Sequence, residues 1–139
     1  MKKYFGIDLG SKTMGIAVSN SGVIASGLTT LRFPEDNYEV ALNMLIELIK
    51  ENNINVVVVG LPKHMNNDLG IRGQISIDFK EALSQALNIE VVLIDERLST
   101  KSALKILSDN NKKKQKQRAL KDEMAAQIIL QNYLDTLKG

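Results

Sequence analysis

Acidic residues stand at two places in the sequence where a carboxylate calls for a functional explanation. Asp8 interrupts an apolar segment between Gly6 and Gly10, and glycines in such a segment let a ligand approach the backbone closely. Asp95 and Glu96 directly follow a short apolar run, where parallel-sheet proteins place functional groups. Acids at the ends of two strands favour a site at one edge of a sheet.

A third acid, Asp122, lies in a segment with helical periodicity. It shares a face with small, aliphatic and aromatic residues: Ala125, Ala126, Ile129 and Tyr133. Two neighbouring alanines would let this acid lie close to a sheet. Carboxylates that converge in one cleft repel each other unless a cation neutralises them, and oxygen ligands suit Mg²⁺ or Mn²⁺. Two such ions about 4 Å apart can activate water and stabilise the leaving oxygen in phosphodiester cleavage.

Each acid also has a purely structural interpretation. Asp8 could cap a glycine-rich turn, and Glu96 could pair with Arg97 at the start of a helix. Asp122 could favour the dipole at a helix N-terminus. The local sequence leaves these alternatives open.

Composition narrows the function class. The chain of 139 residues is predicted to be one domain over 1–139, and its net charge is only +2. It has no Cys and a single His, His64, which excludes disulfides, thiolate metal sites and a His-rich zinc site. Residues 112–121 read KKKQKQRALK, a basic stretch without an acid. No membrane-spanning segment or signal peptide is recognised, so we expect a cytoplasmic protein.

The elements that must position these acids follow from periodicity and turn residues. Strands are predicted over 3–9, 13–19 and about 23–32, joined by turns at Gly10-Ser11-Lys12 and Asn20-Ser21-Gly22. Two β-branched runs, 55–60 and 90–95, read as buried strands. Helical spacing predicts helices over 36–52, about 69–87, from Ser99 onward and over 119–137, with a polar loop over 108–117. The expected fold is α/β: a mixed five-stranded sheet, an antiparallel meander plus two parallel strands, with helices on both faces.

Four segments together resemble one known family over nearly the whole chain. They are GIDLGSKTMGIAVS at 6–19, VGLP at 59–62 with Met65 and Gly70, DERLST at 95–100, and Lys121-Asp122 with Ala125-Ala126 and ILQNYL at 129–134. In this order they resemble the YqgF family, whose members are described as Holliday junction resolvases and as pre-16S rRNA nucleases. The chain departs from the family pattern at Thr13, where an Arg is frequent, and at Asn20, where Asp is usual.

The resemblance implies a ribonuclease H-like fold with catalytic and metal-binding acids at Asp8, Glu96 and Asp122. Asp95 is the rival of Glu96, because neighbouring strand residues face opposite sides of a sheet. Asp8 would bridge two Mg²⁺ (or Mn²⁺) ions. Phosphate contacts are expected from basic residues beside these acids and in the basic stretch: Lys12, Arg97, Lys112, Lys113, Lys114, Lys116, Arg118 and Lys121.

The function implied by the resemblance is hydrolysis of phosphodiester bonds at the 5′ end of pre-16S rRNA. A Holliday junction resolvase and a non-catalytic nucleic-acid-binding module are the alternatives. An ATPase of the actin and sugar-kinase type is disfavoured, because those folds need two domains around the nucleotide. Expected partners are structured RNA or branched DNA and ribosomal precursor particles, without a membrane, and the protein would act as a monomer or homodimer.

Overall fold

Five strands and three helices make up the described part of the computed structural model. The structure describes residues 2–62, 70–95 and 114–137, and within 114–121 only the backbone. The strands are β1 (Tyr4–Leu9), β2 (Thr13–Ser19), β3 (Ser26–Arg32), β4 (Val56–Leu61) and β5 (Glu90–Asp95). The helices are α1 (Tyr38–Asn52), α2 (Gly70–Ala86) and α3 (Lys114–Thr136).

The strands form one mixed sheet in the order β3-β2-β1-β4-β5. The pairs β1–β2 and β2–β3 are antiparallel, whereas β1–β4 and β4–β5 are parallel. The predicted arrangement of a meander continued by two parallel strands is therefore confirmed.

Strand alternation gives the sheet two different faces. On one face, Phe5, Ile7 and Leu9 of β1 belong to a core that contains buried residues of α1 and α2. On the other face, Tyr4 and the β4 valines Val56 and Val58 pack against α3. Four buried residues attach α3 to that face: Ala126, Ile129, Leu130 and Leu134. Helices on both faces of the sheet were expected, and this expectation is confirmed.

The start of the last helix differs from the prediction. A polar loop was expected over 108–117, but α3 begins at Lys114, so the loop assignment is wrong for 114–117. Lys, Gln and Arg are good helix formers, and polarity alone does not separate an exposed helical turn from a loop. The helix expected from Ser99 onward lies outside the described residues. Within the described ranges, no helix has the length and apolar character needed to cross a membrane.

Candidate active site

Asp8 lies on the α3 face of the sheet, directly opposite Gly15 in the β1–β2 ladder. Its neighbours Ile7 and Leu9 belong to the opposite core, so alternation along β1 turns the Asp8 side chain toward α3. The next strand continues the same row, because Gly15 pairs with Thr30 of β3. Asp8, Gly15 and Thr30 therefore form a line across three strands beneath one helix.

Helix α3 passes over this line at Asp122. A Cβ atom built on Gly15 would overlap the Asp122 carbonyl oxygen and would lie 3.2 Å from the Asp122 Cα. Opposed Cα atoms in an antiparallel ladder are about 5 Å apart, so the Cα atoms of Asp8 and Asp122 lie within roughly 10 Å. The next residue, Glu123, reaches the β3 side of the line, where its carboxylate accepts a hydrogen bond of 3.5 Å from Thr30. Two of the three predicted acids are thus brought together.

The position of Asp122 within α3 argues against a purely capping role. The helix begins at Lys114, and its first turn contains no acidic residue. Asp122 is therefore more than two turns inside the helix, beyond the region where the dipole favours an acid.

The Asp8 carboxylate is half-buried and makes no hydrogen bond or ion pair with any residue in the described part of the chain. A half-buried carboxylate is costly without a compensating partner. Beside it lies the bare backbone of Gly15 and, across it, a second acid. This combination fits a divalent cation, which takes oxygen ligands and would relieve the repulsion between the carboxylates.

The two candidates at the end of β5 are separated by strand alternation. Val91 and Leu93 pack with the α1–α2 core, whereas Val92 and Ile94 pack with the α3 core. By the same alternation Asp95, the last residue of β5, falls on the α1–α2 face, away from Asp8. Glu96 lies outside the described residues. In the described ranges, no group of three or more His, Cys, Asp or Glu side chains is arranged to hold a metal.

The hairpin after β1 is fixed by backbone hydrogen bonds. Gly10 N–H donates to the Thr13 carbonyl at 2.8 Å, and Phe33 N–H donates to the Lys12 carbonyl at 2.9 Å. Asp36 N–H donates to the Ser11 carbonyl at 2.8 Å. The Lys12 side chain is exposed at this end of the sheet, where the sequence predicted a phosphate contact.

The other predicted basic contacts are only partly covered by the structure. Arg97, Lys112 and Lys113 lie outside the described residues. The backbone of α3 includes four more of them: Lys114, Lys116, Arg118 and Lys121. Along α3, Asp122 lies over Gly15 and Leu130 lies over Gly6. The basic first part of the helix therefore lies toward the end of the sheet that carries Asp8.

Two arginines near the site were missed by sequence reasoning. Arg32 pairs with Thr13 in the β2–β3 ladder, two residues beyond Thr30, so it lies on the α3 face. It is exposed and forms no ion pair among the described residues. Arg72 of α2 donates a hydrogen bond of 2.9 Å to the Leu9 carbonyl, next to Asp8. Alternation along β3 would have placed Arg32 on the same face as Thr30, but no local sequence signal places Arg72 near Asp8.

The family model and two similar relatives point to the same protein family. A family model described as RuvX, Holliday junction resolvase, matches residues 2–136. A relative from Onion yellows phytoplasma (strain OY-M), named "Putative pre-16S rRNA nuclease", is 51% identical over 134 residues, covering 96% of this chain and 89% of the relative. A relative of the same name from Staphylococcus saprophyticus is 47% identical over 138 residues, covering 98% of this chain and 97% of the relative.

Solved structures show the same architecture. The structure of T. thermophilus RuvC in complex with Holliday junction substrate has a TM-score of 0.63 at 13% identity. The match covers 100% of this chain and 97% of the RuvC chain. The fowlpox virus resolvase in complex with Holliday junction DNA has a TM-score of 0.60 at 15% identity and covers 99% of both chains. At such low identity the likeness concerns the fold, and it confirms the expected ribonuclease H-like class.

Proposed function

Because this chain belongs to the RuvX family, we propose that it is a metal-dependent nuclease, with one domain, that hydrolyses phosphodiester bonds at the 5′ end of pre-16S rRNA. The observation that carries this proposal is that the Asp122 backbone packs directly on Gly15, and Gly15 is the cross-strand partner of Asp8. The backbones of two acidic residues from opposite ends of the chain lie close together there on one face of the sheet.

The third acid of the proposed site is Glu96. Asp95 belongs to the face of the sheet covered by α1 and α2, so it is a poor partner for Asp8 and Asp122. Glu96 is the next residue along the chain, and alternation favours it over Asp95 for the α3 face. We therefore assign the second position of the acid set to Glu96.

Asp8, Glu96 and Asp122 would hold Mg²⁺ or Mn²⁺, as two ions. When bound, such ions supply Lewis-acid activation of water and charge neutralisation at the leaving oxygen of a phosphodiester. The protein contributes oxygen ligands from a strand and a helix that are packed against each other. Gly15 contributes the lack of a side chain, which lets the Asp122 backbone of α3 lie directly on β2 beside Asp8.

The substrate backbone would lie along the exposed basic residues at this end of the sheet. Lys12 in the hairpin and Arg32 on β3 lie at the end of the sheet just beyond the line that contains Asp8. Arg32 supplies a cation opposite Thr13, where the family pattern frequently has an arginine. With Arg97 and the basic part of α3, these groups would bind phosphates, and the affinity would fall as salt rises.

The names of the relatives support an RNA substrate, since both relatives carry the name of a pre-16S rRNA nuclease. The description of the family model favours a second candidate, cleavage of a four-way DNA junction. Both reactions break phosphodiester bonds and would use the same acids. The substrate is therefore decided by experiment and not by the catalytic residues.

The decisive experiment offers two labelled substrates, a precursor of 16S rRNA and a four-way DNA junction, with Mg²⁺, with Mn²⁺ and with a chelator. We expect metal-dependent cleavage of the RNA precursor near its 5′ end and loss of cleavage in Asp8→Asn. Asp78→Asn on α2, on the opposite side of the sheet, is the matched control and should cut normally. Melting curves of all three proteins would verify that they are folded.

Each alternative result has a definite meaning. Cleavage of the junction alone would assign the protein to DNA recombination. Binding of either substrate without any cleavage would favour the non-catalytic module. Full activity of Asp8→Asn would refute the assignment of the site.

A further inference from the structure

The carboxyl end of β1 extends beyond its parallel neighbour. The β1–β4 ladder ends at the pair Ile7 and Val59, whereas the β1–β2 ladder continues to Leu9 and Met14. The backbone just after Asp8 therefore has a strand on one side only. Its polar groups on the β4 side need partners from elsewhere in the fold.

Arg72 supplies that partner. The Gly10 N–H donates toward β2, to the Thr13 carbonyl, at 2.8 Å. The Leu9 carbonyl belongs to the same peptide unit and points the opposite way, where it accepts 2.9 Å from Arg72 Nη2. Because a peptide unit is planar, bonds at both ends fix its orientation, and this unit begins one residue after Asp8.

The guanidinium group is itself held by a second contact. Arg72 Nη1 donates to the Tyr38 hydroxyl oxygen at 2.8 Å, and this hydroxyl donates to the Asp36 carboxylate at 3.2 Å. The Tyr38 ring packs against Phe33, with ring centroids 6.0 Å apart. Half-buried Arg72 thus connects the first turn of α2 to α1 and to the end of β1, with the rigid fork geometry that arginine provides.

We propose that Arg72 is a positioning residue for the nuclease site, which holds the Leu9–Gly10 peptide and through it the Asp8 carboxylate. This inference rests on the proposed function. Reacting groups must be held to about 0.5 Å and 10–20° of the productive geometry, and the end of a strand with one neighbour is too free without an added tie. Arg72 acts through the backbone and does not touch the substrate.

Three variants separate positioning from simple support of the fold. Arg72→Ala removes both contacts, Arg72→Lys keeps a cationic donor for the Leu9 carbonyl, and Tyr38→Phe removes only the hydroxyl contacts. In Arg72→Ala we expect kcat for the metal-dependent cleavage to fall about 10- to 100-fold. KM should stay within about threefold, since no substrate contact is lost. Arg72→Lys should recover part of kcat, and Tyr38→Phe should remain near wild type.

A readout independent of cleavage is the Gly10 amide in ¹H–¹⁵N NMR spectra and hydrogen exchange. We expect exchange broadening or faster hydrogen exchange at Gly10 in Arg72→Ala, and a near-normal signal in Tyr38→Phe. If the Ala variant does not fold, Arg72→Lys and Tyr38→Phe carry the test. A fall in kcat and loss of Gly10 order in Tyr38→Phe but not in Arg72→Lys would overturn the proposal.

The two proposals can fail separately. If wild type cuts neither substrate, the proposed function fails, and the Gly10 signals still decide whether Arg72 fixes this peptide. If wild type cuts and Arg72→Ala cuts equally fast, with Gly10 unchanged, Arg72 is not a positioning residue. A fall in melting temperature without a fall in kcat would assign Arg72 to the stability of the fold and would likewise overturn the proposal.

Discussion

Gly15→Ala tests the central contact of the site with a single methyl group. In the structure, this methyl group would overlap the Asp122 carbonyl oxygen and lie 2.5 Å from its carbonyl carbon. Real Cβ atoms essentially never come within 3.0 Å of such atoms, and the obstacle here is helix backbone that no side-chain rotation can clear. The part of α3 around Asp122 must therefore move away from the sheet by on the order of 1 Å.

The magnitude follows from what holds the rest of the helix. Ala126 and Leu130 are fully buried against the sheet, and the Gln131 side chain binds the loop before β3 at Ala25 N–H and at the Val23 carbonyl, both at 2.9 Å. The helix is thus anchored further along and cannot slide as a whole. Overpacking of this kind costs about 1–3 kcal/mol of unfolding free energy. Misplacement of a catalytic group by about 1 Å costs about 100-fold in rate.

The assay combines urea unfolding with metal-dependent cleavage of the RNA precursor. Gly27→Ala is the matched control, because its Cβ would lie beneath the same helix at ordinary distances of 3.4 Å or more from the Glu123 and Gln127 side chains. Gly6→Ala is an informative second comparison, since its Cβ would lie 2.6 Å from Leu130 Cβ, far along α3 from Asp122. We expect Gly27→Ala to be near wild type, Gly6→Ala to lose stability, and Gly15→Ala to lose both stability and most of its activity.

Two results would refute this reasoning. Wild-type stability of Gly15→Ala would mean that α3 does not rest on β2 at this residue. Wild-type kcat in a destabilised Gly15→Ala would mean that the placement of Asp122 does not control the reaction.

Three further predictions concern other parts of the molecule. Ser76→Ala should raise the free energy of unfolding by about 1 kcal/mol in urea melts, because this buried hydroxyl has no hydrogen-bond partner in the described structure and Ala is the better helix former; a loss of stability would contradict this. Asp95→Asn should keep most of the metal-dependent cleavage whereas Glu96→Gln should abolish it, and the reverse order would overturn the assignment to Glu96. Arg32→Gln should weaken nucleic-acid binding, measured by fluorescence anisotropy in the Asp8→Asn background, and should reduce the slope of log affinity against log salt by about 1. Lys50→Gln on α1 is the control and should change neither. Equal slopes in the two variants would remove Arg32 from the interface.

The strands were predictable because their signals are local. The strands predicted over 3–9, 13–19 and 55–60 lie within one residue of the observed bounds of β1, β2 and β4. Helix α3 was less predictable at its start, since residues 114–118 read KQKQR and are all polar. Periodicity needs an apolar stripe, and the stripe begins only near Asp122.

The sequence could propose residues for the candidate site, but it could not show how they assemble. Sequence reasoning could not choose between Asp95 and Glu96, because parity along β5 has meaning only when the two faces of the sheet are known. The packing of Leu93 and Ile94 against different cores puts Asp95 on the α1–α2 face of the sheet, and the proposal of Glu96 rests on that. Arg72 was not predictable at all, since its partner is a backbone carbonyl, and any residue at position 9 would supply one.

The glycines beneath α3 connect the fold to the chemistry. Glycine in a strand costs roughly 0.5–1 kcal/mol relative to alanine, yet Gly6 and Gly15 both lie where α3 crosses the sheet. A side chain at either residue would lift the helix away from β1 and β2. Since Asp8 is fixed to the sheet and Asp122 to the helix, the distance between the carboxylates depends directly on how closely these two layers approach. The strand glycines therefore lower local stability but allow a short helix–sheet distance, and in the proposed site that distance would let acids from both ends of the chain act together.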